Sequence, residues 1–278
     1  MDAYEFAIIA VLAGSIVKIL NKSLVSNSVS PYAIYFFYTA SSTLITLIFT
    51  PKGLPYHFSL STWALLFGAG AVWTIAGVFN LKAYEYISAS DGEVFSKLSL
   101  VLITLGGVFL YDETLSSGAL FGFALIVSTI FLNVTKVQFT WSKGIFYALI
   151  ATTATGVAVI CDKYLSTKVP ASQLTLISYA LPAVFLFFRD TGVVKTSIKA
   201  LQLNGWKMLF IPFLGTLRYY CIISAFAIGE LTKISIILET AIVLVFVGEF
   251  LLLREKQSLA TRSTCCALCL TGALLVCG

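Results

Sequence analysis

Charge is what this chain most lacks. Only 11% of its 278 residues are Asp, Glu, Lys or Arg, against about 25% in a soluble domain. The scarcity runs the whole length, which excludes a soluble domain carried on a single anchor. Histidine occurs once, as His57 in a connecting stretch, and no acidic pair sits at helical spacing on an apolar face, which argues against an intramembrane enzyme. The cysteines Cys161, Cys221, Cys265, Cys266, Cys269 and Cys277 all lie in apolar runs. Cys265-Cys266-x-x-Cys269 has no histidine near it, so these residues read as small side chains packing helix on helix, not as a metal site. No cofactor is expected. The chain starts Met1-Asp2-Ala3-Tyr4-Glu5 without a basic run, so the first apolar segment is expected to stay in place as its own targeting signal. The net charge of +5 is dispersed and forms no nucleic-acid patch.

What the chain has in abundance is apolar length. Hydrophobic residues make up 59% of it, and the mean hydropathy is +0.95. A bilayer core needs about 20 apolar residues per helix. Ten such segments follow one another, near residues 4–24, 31–50, 63–86, 91–111, 117–134, 144–165, 172–188, 206–228, 229–253 and 260–277. The runs are continuous and not alternating, which selects helices over a barrel. The fold expected is therefore an all-α polytopic membrane protein with ten transmembrane helices, integral to a cell or inner membrane. Between 189 and 205, Val193, Val194, Ile198 and Leu201 alternate with Lys195 and Lys199, which fits a short amphipathic helix on the membrane surface.

The chain repeats itself. Lys97 is matched 142 residues later by Glu239, Glu113 by Glu255 and Ala83 by Ala225, while Asn21-Lys22-Ser23-Leu24 is matched at a distance of 141 by Asp162-Lys163-Tyr164-Leu165. Two five-helix repeats are expected, at 1–136 and 142–278. With an odd number of helices, the second copy enters the membrane from the opposite face, so the repeats are inverted. Secondary transporters are often built this way, with the site near the midplane between the repeats.

Ionisable residues inside the bilayer cost about 2.5–3.5 kcal/mol each and usually face a polar cavity. Arg218 lies about midway along its segment, beside Tyr219 and Tyr220 and six residues after Pro212. It reads either as part of a cavity wall or as one side of a structural salt bridge, for example with Glu239. Lys97 and Glu239 start from opposite faces, and helix rise leaves roughly 10 Å between them along the membrane normal. Their side chains either lean inward and meet or hold the two ends of a zwitterion. Lys18 faces the cavity or snorkels, and Lys22 and Lys163 read as interfacial. Asp162 reads as a local partner of Lys163. Trp73, Tyr84, Tyr38 and Tyr179 are the aromatic candidates for a cavity lining. Gly118-x-x-x-Gly122 reads as a close-packing helix face.

Two stretches carry a resemblance. One is Phe109-Leu110-Tyr111-Asp112-Glu113-Thr114-Leu115-Ser116 followed by Gly122; the other is Leu252-Leu253-Arg254-Glu255-Lys256-Gln257-Ser258 followed by Gly272. The chain resembles the ten-helix, EamA-like members of the drug/metabolite transporter superfamily over essentially its whole length. The family usually has glycine directly before the glutamate, where this chain has Asp112 and Arg254, and often a proline early in the fourth and ninth helices, near Ser99 and Ala241 here. Lys97 is similar in placement to a lysine of phosphate-sugar exchangers in that superfamily, but Glu239 stands where they carry basic residues, which argues against a phosphorylated substrate. The resemblance implies a secondary transporter working by alternating access on a small-molecule solute, with proton or exchange coupling open. Mixed charge signs favour a small amino-acid-like zwitterion. The rival readings are a non-transporting sensor or assembly protein, which expects a filled centre and paired charges, and the intramembrane enzyme. Connections on the side of the termini carry three Lys or Arg and those opposite carry nine, which leans towards both termini outside; the resemblance implies them inside.

Overall fold

The computed structural model describes residues 1–25, 29–51, 57–136, 142–248, 250–251 and 259–277. Where lipid surrounds a chain, each backbone donor and acceptor has to be satisfied within the segment, and helices do this. The described residues accordingly form helices and no strand: α1 (Ala3–Val25), α2 (Pro31–Phe49), α3 (Leu60–Ala83), α4 (Ala89–Tyr111), α5 (Ser117–Lys136), α6 (Lys143–Ser166), α7 (Ala171–Arg189), α8 (Val193–Asn204), α9 (Trp206–Ile228), α10 (Leu231–Leu238), α11 (Ala241–Gly248) and α12 (Leu259–Cys277). Serine hydroxyls open several of them. Ser59, Ser88 and Ser142 accept from the backbone N–H three residues on, and Pro31 starts α2, where its missing N–H costs nothing.

Among the described residues, eight stretches are long and apolar enough to cross a membrane; α10 and α11 together make one of them, Leu231–Gly248. The apolar parts of α5 and α12, Ser117–Thr129 and Ser263–Leu275, are shorter. Together they form the ten membrane helices of two inverted five-helix repeats. The twelve-residue α8 is the amphipathic helix that the spacing predicts. It buries Val193, Ser197 and Ala200, and the Ser197 hydroxyl donates to the Ala33 carbonyl of α2 at 2.9 Å.

The repeats interlock. The most extensive helix contacts join one repeat to the other: α3 with α6, α1 with α9, α5 with α12, α4 with α6 and α2 with α7. The first two pairings are the same contact seen from either repeat, because α1 corresponds to α6 and α3 to α9. Small residues permit the closest approach. A Cβ on Gly272 of α12 would lie 2.6 Å from the Gly122 carbonyl of α5, and one on Gly118 would lie 3.1 Å from the Leu275 carbonyl. Cys265 and Cys269 pack with Ile126 in that same interface.

The stretch after α4 shows what each residue of the glutamate turn does. Asp112 ends α4 in the left-handed region at φ 51, ψ 31, and the Glu113 N–H folds back to the Gly107 carbonyl at 3.1 Å. This is the position where the resembling family carries glycine, and the backbone explains why: a Cβ is disfavoured there, and Asp tolerates it better than most residues. Asp112→Gly is expected to raise the unfolding free energy by up to about 1 kcal/mol, read as a higher melting temperature in detergent. The Glu113 carboxylate accepts from the N–H groups of Leu231, at 2.5 Å, and Thr232, at 3.0 Å. It thus caps α10 in the other repeat, not the following helix. The cap combines orphan amides with a helix N-terminus, so Glu113→Ala is expected to cost about 2 kcal/mol in the same measurement. The matching turn at Glu255 lies outside the described residues.

Candidate functional site

Repeat-equivalent residues that touch each other must lie near the pseudo-twofold axis between the repeats, and two such pairs do. The first is Lys97 with Glu239. Lys97 is fully buried, and its ammonium meets the Glu239 carboxylate directly. The second is Tyr38 with Tyr179, whose hydroxyls are 2.8 Å apart. The Tyr179 proton is committed to the Gly215 carbonyl at 2.7 Å, so Tyr38 is the donor between the two rings. Gly215 makes room for this ring pair, since a Cβ there would overlap the Tyr38 ring, and Gly77 does the same for the neighbouring Tyr35.

The ninth membrane helix breaks at the first of these pairs. α10 ends at Leu238 and α11 begins at Ala241, although no proline intervenes. The Thr240, Ile242 and Val243 N–H groups bond to i−3 carbonyls, which leaves the Glu239 carbonyl with only a long 3.4 Å bond from the Ile242 N–H. Lys97 fills the gap and donates to that carbonyl at 2.9 Å. The Ser96 hydroxyl adds a bond to the Glu239 carboxylate at 3.2 Å. In the fourth helix, the equivalent stretch runs unbroken.

Around this axis lies a cavity of about 210 Å³. Its walls come from the second half of α1, the first half of α2, the C-terminal half of α3, the N-terminal part of α4, the middle of α6, α7 and α9, and Glu239. These portions meet on the side of the α3–α4 connection, opposite the termini. Towards the termini, the centre is filled by Ala7, Ala10, Phe226, Leu231 and Ile234, all at most 1% exposed. One cavity wall is a chain of aromatic rings. Tyr35, Tyr38, Tyr179, Tyr219 and Trp73 follow one another at centroid distances of 6.0, 5.4, 5.4 and 5.9 Å.

Of the residues singled out in the sequence, Arg218, Glu239, Lys18, Tyr219, Trp73 and Tyr84 line this cavity. Lys97 does not; it stands behind Glu239 as its counter-charge. Tyr220, one residue and about 100° round the helix from Tyr219, faces outward and is 41% exposed. The estimated 10 Å between Lys97 and Glu239 is closed by their side chains. Arg218 does not pair with Glu239. Among the described residues, its guanidinium has no hydrogen bond and no carboxylate partner; it lies against Gly14, whose missing side chain makes room for it, and near the Tyr38 and Tyr179 hydroxyls.

Two residues take roles that their neighbours in sequence do not suggest. Lys163 bonds to the Phe226 and Gly229 carbonyls, both at 2.7 Å, and caps α9. Its counterpart Lys22 does the same for α3, at the Tyr84 and Ile87 carbonyls, both at 2.8 Å. These lysines are helix caps. Asp162 therefore has no local lysine. It is fully buried and accepts from Trp73 Nε1 at 3.0 Å and from the Tyr219 hydroxyl at 2.7 Å, both on Oδ2. The signal that could have separated Asp162 from Lys163 is the helix itself, which points adjacent residues about 100° apart.

An axial cavity between two interlocked five-helix repeats, with ionisable residues at membrane depth, matches what comparison with known proteins finds. In solved structures, one chain superposes on this one with a TM-score of 0.70 at 16% identity, covering 98% of this chain and 94% of the other, which shows the fold. Among curated proteins, the uncharacterized inner membrane transporter YhbE of Escherichia coli K12 is 26% identical over 195 residues, 65% of this chain and 58% of YhbE. The same protein of Escherichia coli O157:H7 and of Shigella flexneri matches equally. The chain thus spans under two thirds of the length of these relatives. The model of the EamA-like transporter family matches residues 3–135 and again 142–278, once for each set of five helices: this multi-pass membrane protein belongs to the EamA-like transporter family.

Proposed function

We propose that this protein is a secondary transporter that moves a small, carboxylate-bearing amphipathic metabolite, an amino-acid-like zwitterion foremost, across an inner membrane by alternating access. The observation that carries the reading is Arg218: a guanidinium at mid-membrane, in a cavity, with no carboxylate among the described residues to neutralise it. Such a charge is costly without a partner, and a solute carboxylate offers bidentate bonds to its planar fork. The Lys97–Glu239 pair is internally neutral, while Lys18 adds positive charge to the cavity, which also favours an anionic end. The ring wall suits the remainder of the solute, including an ammonium held against aromatic faces. A cavity of about 210 Å³ lies below the roughly 300–1,000 Å³ of pockets for drug-sized ligands, which suits a small metabolite.

The interlocked inverted repeats support alternating access. Exchanging the conformations of the two repeats would fill the present cavity and open its mirror image towards the termini. The sensor reading expects a filled centre with every buried charge paired, and neither the cavity nor Arg218 fits it. The test is a thermal-shift screen of the purified protein against amino acids, their decarboxylated amines and their deaminated acids, followed by uptake into proteoliposomes. Stabilisation by the amino acids and acids but not by the amines is expected. Stabilisation by the amines alone would overturn the carboxylate assignment.

A further inference from the structure

The buried carboxylate of Asp162 is not needed for the solute contacts just described. It is 0% exposed, and its Oδ1 has no hydrogen-bond partner among the described residues. The groups that face it are Trp73 from α3, Tyr111 from α4, Cys161 from its own helix and Tyr219 from α9. All are neutral donors or weak acids, and among the described residues no lysine or arginine acts on it. An ionised carboxylate buried without a cation costs several kcal/mol, and binding a proton removes that cost. The repeat supplies the second observation. The counterpart of Asp162 is Asn21, a neutral side chain of almost the same shape, and Asn21 lines the present cavity. Exchanging the repeat conformations places Asp162 where Asn21 now stands, on the wall of the cavity facing the termini. In the present state, Asp162 touches the cavity through Tyr219 and Trp73, whose hydroxyl and Nε1–H both bond to Oδ2 while their rings line the wall.

We propose that Asp162 is a proton-binding site that couples solute movement to a pH gradient. The carboxylate takes a proton on Oδ1 when the cavity reaches it from the side of the termini. It is carried as the neutral acid into the state seen here, where the Oδ1–H bond breaks and the proton passes to water of the cavity that Tyr219 borders. No other bond changes. The coupling rests on the alternating-access reading above; proton binding does not. Asn21 leaves the first repeat without such a site, so one proton per cycle follows from the asymmetry between the repeats.

The test has two arms. pH-difference infrared spectroscopy of the purified protein, without any solute, is expected to show the carbonyl stretch of a protonated carboxylic acid appearing as the pH is lowered. Asp162→Asn should abolish it. Tyr219→Phe, which removes a donor to Oδ2, should move the pH midpoint of that band, and it provides the test if Asp162→Asn does not fold. A band that survives in Asp162→Asn, or no band in the wild type, overturns the site. In the second arm, proteoliposomes take up a mixture of radiolabelled amino acids with and without an imposed pH gradient. The wild type is expected to accelerate severalfold with the gradient and Asp162→Asn not at all; equal acceleration in both overturns the coupling. If no amino acid enters under any condition, the transport reading fails for that class, and the infrared arm still decides whether Asp162 binds a proton.

Discussion

Arg218→Met is expected to cut solute uptake by roughly 30-fold to several thousandfold while leaving the protein at least as stable as the wild type. The two halves of this expectation have the same cause. Truncating one side of a desolvated charge pair costs about 2–5 kcal/mol of binding, which converts to that range at about 1.4 kcal/mol per decade. The pair in question is one that the solute completes, because among the described residues Arg218 has no carboxylate or carbonyl to hold. Removing a solitary charge from the membrane interior also removes an insertion cost of about 2.5–3.5 kcal/mol. A structural arginine would behave in the opposite way: its loss would lower the melting temperature. Arg218→Lys separates charge from geometry. It keeps the cation but loses the planar fork, so it should fall between the wild type and methionine. Uptake assays in proteoliposomes paired with melting curves check both halves, and wild-type uptake by Arg218→Met would remove this residue from the site.

How much of this was legible in the sequence depends on what kind of signal each feature leaves. The ten apolar segments and the 141- to 142-residue offset are periodic and additive, so hydropathy and alignment of the chain with itself reveal both. Arg218 and Glu239 stand out because charge at membrane depth is rare. Which charges meet was not legible. The offset states that Lys97 and Glu239 are equivalent, as it does for Tyr38 and Tyr179, but only the position of the twofold axis makes equivalent residues touch. Asp162 was hidden by its neighbour: a sequence places it beside Lys163, whereas the helix turns Lys163 towards the end of α9 and Asp162 towards Trp73 and Tyr219. Tyr219 and Tyr220 are separated in the same way, one in the cavity and one on the outer face. The break between α10 and α11 has no proline or glycine to announce it. It is held by a side chain from another repeat, a tertiary cause with no local trace.

That break defines the second large effect. Lys97→Met is expected to destabilise the protein by about 3–5 kcal/mol, the cost of stripping a buried charge of its partner. Lys97 holds two acceptors at once, the carboxylate and the backbone carbonyl of Glu239, so its loss strips the anion of this partner and leaves the carbonyl with only the long 3.4 Å bond from the Ile242 N–H. Glu239→Gln is the milder change, because the amide oxygen and the same carbonyl still receive the ammonium. The double variant Lys97→Met/Glu239→Gln should fall between the two. It removes the orphaned charge, so part of the stability returns, but the carbonyl at the helix break keeps only the long bond from the Ile242 N–H. Such non-additivity is what contacting residues show in a double-mutant cycle. Thermal or denaturant unfolding in detergent gives the order Glu239→Gln, double variant, Lys97→Met from most to least stable. The same three proteins decide between two roles for the pair. If Lys97 held one end of a zwitterion, Lys97→Met would lose uptake at unchanged stability. If it pins the broken helix across the twofold axis, stability falls first, and Glu239→Gln, which keeps the pin, retains a folded protein in which the contribution of the Glu239 charge to solute binding can be measured alone.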